Sequence, residues 1–175
     1  MFRGCAALLA GGLLLSGCMS DGVGTDWAAI SQKLGPPKAG QSRVVVLQEK
    51  RKGLSMALCV CEVKLDGIPI GKVTVGTYAY ADRPAGRHQL MASEALFPGD
   101  TTRDFATETG RTYFFLVRSS ERHDSVTGVT MVAGLAGALV ASAATAGSTN
   151  PGPAEFFPLD EPTARTTLAE LQLAQ

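Results

Sequence analysis

Thiols and imidazoles are the side chains of this chain whose chemistry depends most on spacing. The 175 residues include four cysteines and two histidines. Cys59 and Cys61, one residue apart, raise the question of a metal or redox pair. They stand in an alternating run, with Cys59, Cys61, Val63 and Leu65 on one face and Glu62, Lys64 and Asp66 on the other. That pattern predicts two thiols buried on the apolar face of a strand, in preference to metal ligands or a local disulfide. Two cysteines are an incomplete zinc set, and the histidines do not obviously complete it. His88 follows the turn Pro84-Ala85-Gly86 at the start of a strand and reads as structural. His123, within Arg118-Ser119-Ser120-Glu121-Arg122-His123-Asp124, reads as part of a solvated loop. No G-x-S-x-G sequence places a nucleophilic serine. Gly134-Leu135-Ala136-Gly137 lacks the Lys-Ser/Thr that a phosphate loop requires. The expectation is no catalytic residue, no metal site and no cofactor, and so a protein that is not an enzyme.

Cys18 stands in a different context. Arg3 precedes an uncharged run from Cys5 to Leu15, in which leucines alternate with alanine and glycine. The run has the length of a signal-peptide core and is too short for a spanning helix, which needs about 20 residues. It leads into Leu15-Ser16-Gly17-Cys18. A branched apolar residue, two small ones and a cysteine look like a lipobox. There the small residues let a signal peptidase grip an extended chain, and the thiol is the nucleophile that receives diacylglycerol. Residues 1–17 are therefore read as a lipoprotein signal peptide and Cys18 as the lipidation site. Each buried acyl methylene contributes about 0.8 kcal/mol, so several chains on one cysteine hold a protein on a membrane. Met19 follows, where by resemblance to lipoprotein sorting in Gram-negative bacteria an Asp would favour the inner membrane. The expected address is the periplasmic face of the outer membrane. Residues 18–41, rich in Gly, Pro, Ser and Asp, read as a tether, with Trp27, Ile30 and Leu34 able to form one short helical turn.

Charge narrows the partners. Lys plus Arg and Asp plus Glu each number 16, so no basic excess recommends nucleic acid. From Ser42 onward the chain reads as one β domain, residues 42–173. Strands are expected at Arg43–Lys50, Cys59–Asp66, Ile68–Val75, Thr77–Asp82, Arg87–Ser93, Asp100–Thr107 and Arg111–Arg118. Asp66-Gly67 is a hairpin turn signal, and Pro69 suggests an edge strand or a bulge. In Arg111–Arg118 both faces are apolar: Tyr113, Phe115 and Val117 on one side, Phe114 and Leu116 on the other. Such a strand is central and covered on both sides. The period changes at Asp160–Leu173, where Asp160 can cap a helix, Pro162 suits its first turn, and Ala164, Leu168 and Leu171 share a face that would cover the sheet. The fold expected is a small antiparallel β-sandwich with a C-terminal helix.

The order Val63-Lys64-Leu65-Asp66-Gly67-Ile68-Pro69-Ile70-Gly71, Gly76-Thr77-Tyr78-Ala79-Tyr80, Arg83-Pro84-Ala85-Gly86-Arg87-His88 and Thr109-Gly110-Arg111-Thr112-Tyr113-Phe114 resembles bacterial lipoproteins of the domain of unknown function 2846 family, similar in style to PEGA-type modules. The tail with Leu168-Ala169-Glu170-Leu171 is similar too. The resemblance covers about residues 42–120 and 153–173. It implies a β-sandwich lipoprotein and carries over no catalytic residues.

One segment departs from that pattern. Val126–Gly147 is an apolar, Ala/Gly-rich stretch without a charge. At helical spacing it has a bulky face (Val126, Val129, Val132, Leu135, Leu139, Val140) and a small one (Thr127, Thr130, Gly134, Ala138, Ala141, Thr145). A single membrane crossing would place the flanking strands on opposite sides of the bilayer. Three readings stay open: the bulky face packs on the sheet over Phe114 and Leu116, the small face serves self-association or a protein partner, or the segment touches the membrane beside the lipid. The function expected is a non-enzymatic binding or structural module anchored in the envelope, or alternatively an oligomerising or membrane-interacting protein acting through this insert.

Overall fold

The computed structural model describes Gln32 and residues 36–50 and 59–174. Residues 1–17, read as a signal peptide, Cys18, and the expected turn residues Trp27, Ile30 and Leu34 lie outside the described residues.

Strand β1 (Gln41–Gln48) is built from Val44, Val45, Val46 and Leu47, all fully buried. A run of four apolar, mostly β-branched residues can be buried on both faces only in the middle of a sheet. β1 indeed lies between β4 (Thr77–Pro84) and β7 (Thr112–Ser119), in a five-stranded sheet ordered β8-β7-β1-β4-β9. β8 is Ala154–Leu159 and β9 is Gln172–Leu173. The second sheet has four strands, β2 (Cys61–Leu65), β3 (Ile68–Val73), β5 (Gly86–Ser93) and β6 (Thr101–Thr107), in the order β3-β2-β5-β6. The chain changes sheet between β4 and β5 at Ala85, within the expected turn.

The two sheets face each other across one core. Val44, Val46, Phe115, Val117 and Phe156 from the larger sheet meet Cys61, Val63, Leu65, Leu90 and Ala92 from the smaller. The other face of the larger sheet is closed by helix α2 (Glu161–Leu168), which sets Ala164 and Leu168, with Leu171 beyond it, on Val45, Leu47, Phe114 and Leu116. Asp160 caps α2 by accepting from the Thr163 N–H, and Pro162 lies in its first turn.

The fold is thus the expected mainly β sandwich with a C-terminal helix. β7 is the doubly covered strand its sequence implies. Asp66 (φ 56°) and Gly67 (φ 78°) make the tight turn between β2 and β3 with the positive φ values that a type I′ turn needs. Pro69 sits on edge strand β3, beside a register shift between Val63 and Lys64. Two pairings differ from a purely antiparallel sandwich. β1 runs parallel to β7 and β4 parallel to β9, so the larger sheet is mixed. Strand pattern reports which face is buried but not which distant neighbour lies alongside or in which direction.

The apolar insert forms helix α1 (Glu121–Ala144), which begins at the N-cap Ser120. Its path is broken at Gly134, where φ is 63° and ψ is −159°, values that essentially only glycine adopts. α1 is therefore a helical hairpin. The first turn comes back to the last: Arg122 Nε donates to Thr145 Oγ1 at 3.1 Å, whereas a straight helix would hold their backbones about 35 Å apart.

Candidate functional site

Three clusters hold the polar groups that chemistry would need. The first is the root of α1. Arg122 is buried, and among the described residues its guanidinium pairs with no carboxylate. It donates to the carbonyls of Pro98 (2.5 Å) and Pro151 and to Thr145 Oγ1, with the Ser142 carbonyl at 3.4 Å. Its charge also lies over the Phe97 ring, 4.9 Å from the centroid. Ser142 and Thr145 belong to the C-terminal end of the hairpin, where exposed carbonyls favour a cation. Beside Arg122, His123 is also buried. Its backbone N–H is taken by Ser120 Oγ, its ring stacks at 5.2 Å from Phe97, and Nε2 sits 2.8 Å from Glu94 Oε2.

This corrects the expectation of a solvated loop at 118–124. The loops carrying Glu94–Pro98 and Asn150–Pro153 converge there and enclose the segment. Thr101 Oγ1 lies 2.5 Å from the Ala154 carbonyl, and Ser120 Oγ donates to the Gly152 carbonyl at 2.7 Å. A side chain on Gly152 would strike the Thr101 backbone. Sequence did carry one signal: Ser120 followed by Glu121 and Asp124 is a helix start with acids in its first turn.

The second cluster joins β2 and β5. His88 Nδ1 is 2.8 Å from Asp66 Oδ2 and its Nε2 is 2.9 Å from the Pro84 carbonyl. The Asp66 carboxylate also accepts the Gln89 backbone N–H at 3.0 Å. Burial pushes the Asp66 carboxyl up, but the hydrogen bonds from Gln89 and His88 outweigh it, so it stays ionised to lower pH than usual. Both imidazole nitrogens lie within hydrogen-bond distance of oxygens of the fold, which fixes His88 as a strut between the two turns, as its sequence position implies. A shallow cleft lined by Asp66, Arg87, Gln89, Asp104 and Phe105 opens beside it.

The third is the Cys59/Cys61 pair. Both are fully buried on the Val63 face, as the alternation requires. The structure joins them as a disulfide, with Cα atoms 5.3 Å apart, and this corrects the expectation of free thiols. Alternation shows which way two side chains point and is silent on whether their backbone closes enough to bond. Among the described residues no group of three or more His, Cys, Asp or Glu side chains could hold a metal ion.

What remains is the hairpin. Its bulky residues do not pack on the sheet, because α2 already covers Phe114 and Leu116. Val126 is buried at the root. Beyond it Met131 is 57 % exposed, Val132 91 %, Leu135 77 %, Leu139 66 % and Val140 70 %. The small-residue face is used inside the hairpin. Thr127, Thr130, Ala138, Ala141 and Thr145 are all half-buried, and a Cβ on Gly137 would lie 3.0 Å from Val129 Cγ1 on the opposing arm. The arms thus approach through small residues and Val129, and turn Val132, Leu135, Leu139 and Val140 outward.

The family model for a protein of unknown function, DUF2846, matches residues 38–130. The chain belongs to that family. The match takes in β1 to β7 and most of the first arm of the hairpin, and it ends before the exposed tip and the C-terminal helix of this DUF2846 protein. No curated protein matches the chain.

Proposed function

We propose that this DUF2846 protein is an envelope lipoprotein, acylated on Cys18 and serving as a non-catalytic binding or structural module at the membrane surface. The observation that carries the reading is the sequence Leu15-Ser16-Gly17-Cys18 at the end of a short uncharged run behind Arg3. The closed sandwich agrees with it: Arg122, His88 and Asp66 all spend their polar atoms on holding loops together. Met19 in place of an acidic residue favours the periplasmic face of the outer membrane. Cells expressing the protein are fed an alkyne-labelled palmitate. The wild type incorporates the label and Cys18→Ser does not; equal labelling of both refutes the assignment, as does wild-type protein found free in the periplasm or medium.

A second reading places activity in the hairpin itself, as an oligomerising or membrane-contacting element. The exposure of Val132 and Leu135 favours it.

A further inference from the structure

We propose that the α1 hairpin inserts its tip into the acyl region of a single bilayer leaflet, as a second membrane contact beside the lipid anchor. The inference rests on the lipoprotein reading for its setting and on the hairpin's own chemistry for its substance.

The hairpin suits hydrocarbon better than a protein groove. No charged residue occurs from Ser125 to Ala154. A helix that docks on a protein surface keeps a polar outer stripe; here the small residues lie between the arms and the outward surface is Val, Leu, Met and Ala. Three of its hydroxyls, on Ser125, Thr130 and Thr145, are satisfied within the hairpin. Thr130 donates to the Val126 carbonyl at 2.6 Å and Thr145 to the Ala141 carbonyl at 2.7 Å. Groups bonded this way need no water, which is the condition for backbone and hydroxyls in a bilayer.

Length decides the depth. The 24 residues of α1 are enough, by length and composition, for a membrane-crossing helix, but the turn at Gly134 folds them into arms of about 20 Å and 15 Å. Neither spans a hydrocarbon core of about 30 Å, and the tip reaches only into one leaflet. Charges stand at the root, with Glu121 and Asp124 exposed at headgroup level.

The chain preceding the sandwich permits this posture. β1 and β7 are parallel, so Gln41 and the hairpin lie at opposite ends of the sheet, about 26 Å apart along an eight-residue strand. Roughly 23 residues separate Cys18 from Gln41. A stretch of that many residues can reach at most about 75 Å when fully extended. Lipid and hairpin can therefore sit in the same leaflet.

The test uses the processed chain, residues 18–175 with Cys18→Ser, so that no acyl group contributes. It is mixed with zwitterionic phosphatidylcholine vesicles and floated on a density gradient. The protein is expected to float, and Val132→Asp/Leu135→Asp to reduce the floating fraction at least tenfold with an unchanged circular dichroism spectrum. Leu135→Trp should show a blue-shifted emission quenched by brominated acyl chains. Sedimentation velocity without vesicles completes the set. A dimer that Val132→Asp/Leu135→Asp dissociates, with no flotation, overturns the proposal in favour of a second copy as the occupant. A monomer that does not float overturns it outright. Palmitate labelling of the wild type is read separately, so loss of the anchor assignment and loss of hairpin insertion are distinguishable outcomes.

Discussion

Arg122, in the first turn of α1, donates through Nε to the hydroxyl of Thr145, just past its last turn, 3.1 Å away. The same guanidinium binds the carbonyls of Pro98 and Pro151, so one side chain closes the hairpin and attaches it to two loops of the sandwich. Arg122→Met keeps the apolar stem but strands those buried carbonyls. Each unsatisfied buried acceptor costs about 1–3 kcal/mol, and the variant is expected to lose about 3 kcal/mol in urea denaturation. Arg122→Lys should recover only part of this, because a single ammonium cannot reproduce the planar fork. A loss below about 0.5 kcal/mol for Arg122→Met would show that the root is held by other contacts.

Asp66 makes stability depend on pH in a known direction. Its carboxyl is held below the ordinary value by the Gln89 N–H and by His88, against the opposing effect of burial. A group with a depressed folded-state pKa contributes stability above its unfolded value, near 3.9, and loses it as pH falls through the lower folded value. Asp66→Asn is the appropriate variant, since Asn tolerates the left-handed backbone at φ 56° and can still accept from Gln89. The wild type is expected to be more stable by about 1 kcal/mol at pH 6, a modest figure because the site is partly solvated. That advantage should shrink as pH falls below the unfolded value and through the lower folded one. Thermal melts of both proteins across this range check it; a difference independent of pH would assign the effect to shape and not to charge.

Two leucines of the same size separate core from hairpin. Leu168 is fully buried between α2 and the larger sheet, while Leu139 is largely exposed on α1. Leu168→Ala is expected to cost about 2–4 kcal/mol, through lost burial and the cavity left behind. Leu139→Ala should change stability in water by no more than about 0.5 kcal/mol. Parallel denaturant titrations measure both. A large loss at Leu139 would mean that the hairpin folds down onto the sandwich in solution.

These contrasts also mark how far the sequence could be read. Residues whose burial follows a local period were legible: Phe114 against Phe115 in β7, Ala164 and Leu168 in α2, and the Asp66-Gly67 turn. Other features depend on parts of the chain far apart in sequence. Arg122 and His123 lie within a polar string, and only the convergence of Glu94–Pro98 with Asn150–Pro153 buries them. The parallel pairing of Val45 with Phe114 leaves no mark in either strand alone. Small and bulky faces were visible in the insert, but their use was not. With glycines at 128, 134, 137 and 147, nothing local singles out Gly134 as the place where the helix turns back.

Gly134 is nevertheless where the hairpin is most open to a backbone test. At φ 63° and ψ −159° a Cβ is strained whatever space surrounds it, by about 1–3 kcal/mol, and at Gly134 no neighbouring atom lies within 4 Å of the added carbon. Gly134→Ala therefore isolates conformational strain from steric clash. Because the tip packs on nothing else among the described residues, the cost should appear locally and not as a fall in global stability. Amide exchange within 125–145 is expected to quicken about tenfold to a hundredfold in Gly134→Ala, with β1 and β7 as protected as before. Gly128→Ala is the control. It lies in the first arm, again with no atom within 4 Å of an added Cβ, and its backbone is helical, so there the substitution should slow exchange slightly through better helix propensity. Equal behaviour of the two variants would mean that the turn at Gly134 is not a fixed feature of the folded protein, and the arms would then be free to straighten.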